Sequence, residues 1–184
     1  MTTLIVLDEA DPAATLLKAD DGAEIAAHLG GHGVRFERWA VPAGAAGDDP
    51  LAVYADGVAA LGAQGYTTVD VAQLHPDASD PEWGAKAATA RGRFLAEHTH
   101  ADDEVRFFAA GSGAFYLRVG GHIDVVVCTA GDLISVPEGT RHWFDMGTTP
   151  DFTALRFFRV PEGWVGEFTG DPIASRFPTF DDLA

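Results

Sequence analysis

The sequence predicts a mainly β fold with flanking helices, centred on a jelly-roll barrel. Two observations carry that expectation. From Phe94 onward, apolar stretches of strand length alternate with turn residues about every ten positions, the rhythm of a sandwich or barrel. Before that point, capped Ala-rich segments alternate with short apolar runs, an α+β pattern. A chain of 184 residues is long enough to enclose a substantial core in one domain. The expected division is an α+β part over residues 1–92 that packs on the barrel, barrel strands over 93–170 and a tail over 171–184.

Taken in order, Leu4 to Leu7 reads as a strand. Asp20 and Asp21 offer a cap to a helix over Ala23 to Leu29, which Gly30-Gly31 stops. His28 and His32 lie at that helix end and read as surface residues. Val34 to Val41 reads as a strand, and Pro42 to Gly47 as a loop of small residues. Asp49-Pro50 starts a second helix reaching Ala63, with proline at its first position. Tyr66 to Leu74 is β-branched enough for a strand. His75 to Asp80 is a turn, and a third helix follows from Asp80-Pro81 to about Arg91. In the barrel, Ala110 to Gly113, Gly120-Gly121, Ala130 to Asp132, Pro137 to Gly139 and Gly147 to Asp151 read as turns. His122, directly after the second of these, reads as exposed. The tail after Gly170 is expected to wrap the barrel.

Bulk properties exclude some functions. With 28 acidic against 12 basic residues, the net charge of −16 repels phosphate backbones and anionic membranes. No apolar run is long enough to span a bilayer, and the first residues lack a basic, cleavable leader. The single Cys128 cannot form an internal disulfide, which fits a reducing cytoplasm, and its apolar neighbours suit a buried thiol. No nucleic acid and no membrane is therefore expected as a partner. A monomer is expected from the charge.

The chemistry lies in residues 94 to 106 and one distant histidine. On a strand, His98 and His100 would point to the same face, roughly 6–7 Å apart, and could converge on one ion. If the chain bends at Ala101-Asp102-Asp103, Glu104 can reach the same ion from the next strand. His142 supplies a third imidazole beyond a glycine-rich hairpin. An isolated strand histidine is more often a core or surface residue; four donors in this order argue otherwise. Three neutral nitrogens and one carboxylate suit iron, nickel, manganese or zinc. If the ion is octahedral, two sites stay open for a chelating ligand. The centre would keep a charge near +1, and Arg106 would add another beside it, so an anionic ligand is favoured. Glu97 and Thr99 face away and could orient the ligands from behind.

His-Thr-His-Ala-Asp-Asp-Glu-Val-Arg-Phe from His98, with Asp132 to Pro137, His142 to Gly147, Pro161 to Trp164 and Phe168 to Asp171, resembles acireductone dioxygenase, a cupin family. Gly33 to Trp39 is similar to that family too. The resemblance implies a cupin double-stranded β-helix. It also implies one Fe2+ or Ni2+ per chain held by His98, His100, Glu104 and His142, with Arg106 as the catalytic residue holding the substrate anion. Phe94, Phe144 and Trp164 would line the apolar pocket, and Arg156 looks like the family's second pocket arginine, although an inward Arg156 also needs a partner such as a carboxylate. For the aromatics, core packing is as good an explanation. The implied reaction is cleavage of a small-molecule substrate, 1,2-dihydroxy-3-keto-5-methylthiopentene, by dioxygen in methionine salvage. With iron it gives formate and 4-methylthio-2-oxobutanoate; with nickel it gives formate, carbon monoxide and 3-methylthiopropionate. Another metal cupin enzyme, such as a different dioxygenase or an isomerase, is compatible with the same ligands, as is a non-enzymatic cupin binding a small ligand.

Overall fold

A computed structural model describes residues 1–43 and 49–183, so residues 44–47 of the expected small-residue loop lie outside the described residues. The architecture follows from one strand. β6 (Glu104–Val119) is 16 residues long and serves two sheets in succession. Its first half pairs with β8 (Asp132–Val136) and β10 (Phe152–Phe158). Its second half pairs with β7 (His122–Thr129) and β9 (His142–Asp145). The expected turn at Ala110 to Gly113 is therefore a bend within β6, not a break. Gly111 makes the bend with φ +69°, and a side chain there would run into the Asp151 carbonyl oxygen.

The N-terminal half extends both sheets. β1 (Thr3–Asp8) pairs with β7, and β2 (Thr15–Ala19) with β1. β3 (Arg35–Arg38) adds to β8, and β4 (Thr68–Leu74) to β10. On the other side β9 pairs with β5 (His98–Thr99), and β5 with β11 (Glu167–Phe168). The ladder from β11 to β2 does not close on itself, so the expected jelly roll is built from open sheets and is not a closed barrel.

Helix α1 (Gly22–Gly30) begins as the sequence indicates. Asp21 accepts the Ala23 and Glu24 amides, and Ile25 and Leu29 enter the core with Phe108, Phe115, Val126 and Ile134. The expected second helix is two pieces, α2 (Pro50–Val53) and α3 (Ala55–Gly62), interrupted at Tyr54. Tyr54 is buried edge-on against Phe107, and that packing takes precedence over helix continuity. Helix α4 (Trp83–Gly92) starts three residues later than expected, because Asp80 caps a preceding turn through the Glu82 amide. The tail forms two 3-10 turns, Pro172–Arg176 and Phe180–Leu183. Ile173 and Phe177 close over Trp143 and Tyr116, whose rings stack 5.0 Å apart.

Two surface expectations are corrected. His28 and His122 are half-buried and both face Asp124, which is fully buried. His75 does more than turn the chain: its ring bonds Asp151 and Thr153 and ties the end of β4 to the start of β10.

Candidate metal centre

The four predicted ligands converge. One donor atom from each of His98, His100, Glu104 and His142 lies within 4.8 Å of the other three, and all four residues are buried. Two sheets supply them. His98 and His142 are register partners across β5 and β9, with ring centroids 4.6 Å apart. Glu104 opens β6 opposite Val136 of β8. His100 lies just past β5, where its carbonyl accepts the Gly139 amide at 3.0 Å. The bend between His100 and Glu104 is held by Asp102, which the sequence reading left without a role. Its carboxylate accepts the amides of Asp103, Arg159 and Val160 at 2.8, 2.6 and 3.1 Å. An acid between two ligands was visible in the sequence; two of the three amides that fix it come from over fifty residues downstream.

Backbone carbonyls orient all three imidazoles. Nδ1 of His98 donates to the Ala96 carbonyl at 2.8 Å, Nδ1 of His142 to Thr140 at 2.8 Å and Nδ1 of His100 to Val165 at 2.9 Å. A carbonyl can only accept, so each Nδ1 carries a hydrogen and each Nε2 is left for a ligand. This overturns the expectation that Glu97 or Thr99 performs that task. Glu97 is buried, but it accepts from Arg118 at 3.1 Å and from Thr169 at 2.7 Å instead. Gly166 passes so close that a Cβ would stand 3.2 Å from the His98 ring.

The electrostatics suit a cation. Burial, with His142 nearby, lowers His98 to about 4, so its imidazole is neutral at physiological pH. Burial pushes the Glu104 carboxyl up, but Arg106 and the imidazoles outweigh it and hold Glu104 well below its usual range. Burial also pulls His142 down, yet the adjacent Glu104 carboxylate raises it overall. Nε2 of His142 is 2.5 Å from Glu104 Oε2, and Nε2 of His100 is 3.5 Å from the same oxygen. His100 Nε2 has no hydrogen-bond partner despite its burial. A lone pair kept out of water beside two imidazoles and a carboxylate is what a divalent transition ion uses, so the residues fit a metal.

Glu104 divides its oxygens. Oε2 faces the imidazoles, whereas Oε1 takes the Arg106 guanidinium at 2.6 Å. Arg106 also donates to the Val105 carbonyl at 3.0 Å and lies over the Phe158 ring, 5.0 Å from its centroid. It borders a cavity of about 50 Å3, walled by Phe94, Phe144, Met146 and Phe152. Phe108 and Phe115 complete the wall, and sequence reasoning had no way to separate them from ordinary core. Phe144 donates its amide to the Phe94 carbonyl, which holds these two expected pocket residues side by side.

Arg156 also borders this cavity, directly across the ladder from Arg106. Asp70 of β4 grips it with two bonds of 2.7 and 2.6 Å, so the carboxylate partner expected for an inward arginine is present. Trp164 is placed differently from the expectation. It is 52% exposed and lines a separate groove outside His98 and His100, with Val165 and Phe168. Only Phe94, among the expected aromatics, borders both spaces.

The arrangement has close counterparts. The ARD/ARD′ family profile matches residues 58–166. A protein of Nocardia farcinica named acireductone dioxygenase 2 is 55% identical over 187 residues, covering 100% of this chain and 98% of that one. The acireductone dioxygenase of Frankia alni is 59% identical over 174 residues, covering 92% and 84%. Among solved structures, the Bacillus anthracis acireductone dioxygenase with a cadmium ion in its active centre superposes with a TM-score of 0.76. It is 29% identical and covers 91% of this chain and 98% of its own.

Proposed function

This chain belongs to the ARD/ARD′ family and is a metal-binding dioxygenase of the cupin fold; from that premise we propose that it cleaves 1,2-dihydroxy-3-keto-5-methylthiopentene with dioxygen in methionine salvage. With Fe2+ the expected products are formate and 4-methylthio-2-oxobutanoate. With Ni2+ they are formate, carbon monoxide and 3-methylthiopropionate. The observation that carries the reading is the buried donor set with an arginine against its only carboxylate.

His98, His100, Glu104 and His142 would hold the ion through three Nε2 atoms and Glu104 Oε2. When bound, the ion would supply Lewis acidity and a positive field that favours the ionised enediol. The charges set the ligand: one carboxylate against a divalent ion and the Arg106 guanidinium leaves about +2, which matches an enediol dianion. Arg106 is held by Glu104 and Val105 before any substrate arrives, so it contributes its charge without reorganising. Asp70 neutralises Arg156, which leaves Arg106 as the anion-holding group. Phe94, Phe144, Met146 and Phe152 offer the methylthio tail an apolar wall and keep water from the enediol.

We further propose a monomeric, cytoplasmic enzyme. Cys128 is free and fully buried, which suits a reducing compartment, and among the described residues no helix is long and apolar enough to cross a membrane. The test is oxygen uptake by iron-loaded protein supplied with the acireductone, followed by product analysis after separate loading with iron and nickel. Consumption no faster than by metal-free protein would sink the proposal.

A further inference from the structure

A second group of ligand-type side chains converges where α1 meets the β6–β7 hairpin. His28 belongs to the last turn of α1, and His32 follows one turn later. His122 opens β7, and Asp124 is two residues on, facing the same way. One donor atom from each lies within 4.8 Å of the other three. His28 Nε2 is 3.0 Å from Asp124 Oδ2, and His122 Nε2 is 3.2 Å from Asp124 Oδ1. The three ring centroids are 5.2 to 5.8 Å apart.

Asp124 is the centre of the argument. It is 0% exposed, with Val6 and Leu117 as its register neighbours. A carboxylate out of water needs a cation or a full set of donors. The nearest arginine along β6, Arg118, is committed to Glu9, Glu97 and Asp171. Among the described residues, only imidazoles face Asp124. Its Oδ1 and the His122 Nε2 have no hydrogen-bond partner. Gly120, at φ +58°, leaves room for the rings to close: a Cβ there would stand 2.8 Å from His122 and 3.0 Å from His32.

We propose that His28, His32, His122 and Asp124 form a second metal site, which takes one divalent ion of the zinc type and staples α1 to the β6–β7 hairpin. Three imidazoles and one carboxylate are a tetrahedral donor set; magnesium or calcium would require more oxygens. Zinc bonds of about 2.0–2.1 Å keep donors roughly 3.4 Å apart. The two contacts to Asp124 already fall within that spacing. His32 is exposed and free to swing in as the last ligand. The two donor sets share no residue, and Leu117 of β6 stands between Asp124 and His142 in the ladder.

The test uses full-length protein stripped by chelation and dialysed against Co2+. Wild type is expected to bind two equivalents per chain. The His98→Ala/His142→Ala variant should keep one, with the visible absorption of tetrahedral cobalt and a higher thermal midpoint than its metal-free form. His32→Ala/His122→Ala should also keep one, lose the tetrahedral band and retain full oxygen uptake when iron-loaded. His32→Ala alone, at an exposed position, should weaken the second equivalent at least tenfold with the fold intact by circular dichroism. A single equivalent in wild type, or two in His32→Ala/His122→Ala, would overturn the site and assign the cluster to His–Asp hydrogen bonding alone. Two equivalents in His98→Ala/His142→Ala would instead count against the catalytic ligand set.

Discussion

Glu104 and Arg106 make the sharpest demands on single residues. One carboxylate oxygen serves the imidazole cluster and the other serves the guanidinium, so the two side chains have separable roles. His98→Ala and Glu104→Ala should each lower metal content by one equivalent and abolish oxygen uptake together. Full occupancy in both variants would show the ligand set to be wrong. Arg106→Ala should keep the metal but lose turnover by roughly 10²- to 10³-fold, the usual cost of removing a preorganised electrostatic group. Arg106→Lys should recover part of that loss, since charge returns without the planar fork. Unchanged turnover in Arg106→Ala would assign the guanidinium to structure alone.

At the scale of elements, β6 shows what the sequence could and could not say. Alternation made Glu104 and Arg106 neighbours on one face, and His142, Phe144 and Met146 on another, and those faces do line the site. Glycines at 111 and 113 read equally well as a turn, because a bend within a strand and a reversal between strands use the same residue type. β2 was missed because four of its five residues are exposed, so no buried face marks its pattern. The carbonyls that orient the histidines were illegible for another reason: backbone groups carry no residue code. Gly113 has a different duty from Gly111. A Cβ at 113 would come 2.4 Å from the Phe144 ring, which itself walls the cavity. Gly113→Ala should therefore destabilise the protein by about 1–3 kcal/mol, as overpacking does, and raise KM for the acireductone as Phe144 shifts. Denaturant titration and steady-state kinetics would check it; wild-type values for both would mean that the wall yields freely.

Across the whole molecule, Asp145 joins regions that are distant in the chain. From β9 it takes two bonds from Arg91 of α4, at 2.7 and 2.8 Å, and the amides of Gly147 and Phe180 at 2.9 Å each. Helical half, central sheet and C-terminal tail thus meet at one buried carboxylate. Burial raises its pKa, but Arg91 and the two amides outweigh that and hold it below the ordinary value. A depressed carboxyl stabilises the fold above its unfolded pKa, about 3.9, and the contribution disappears as pH falls through the folded value. Asp145→Asn leaves Arg91 without its main partner and should cost about 2–4 kcal/mol at pH 7. Below about pH 3.9 the unfolded chain takes up a proton that the folded carboxylate still refuses, so the gap between the two proteins should narrow progressively as pH falls toward the folded value. Urea titrations of both between pH 7 and pH 3 measure the gap directly. A gap as wide at pH 3 as at pH 7 would mean that Asp145 holds the three regions together by shape and hydrogen bonding, with its charge contributing nothing.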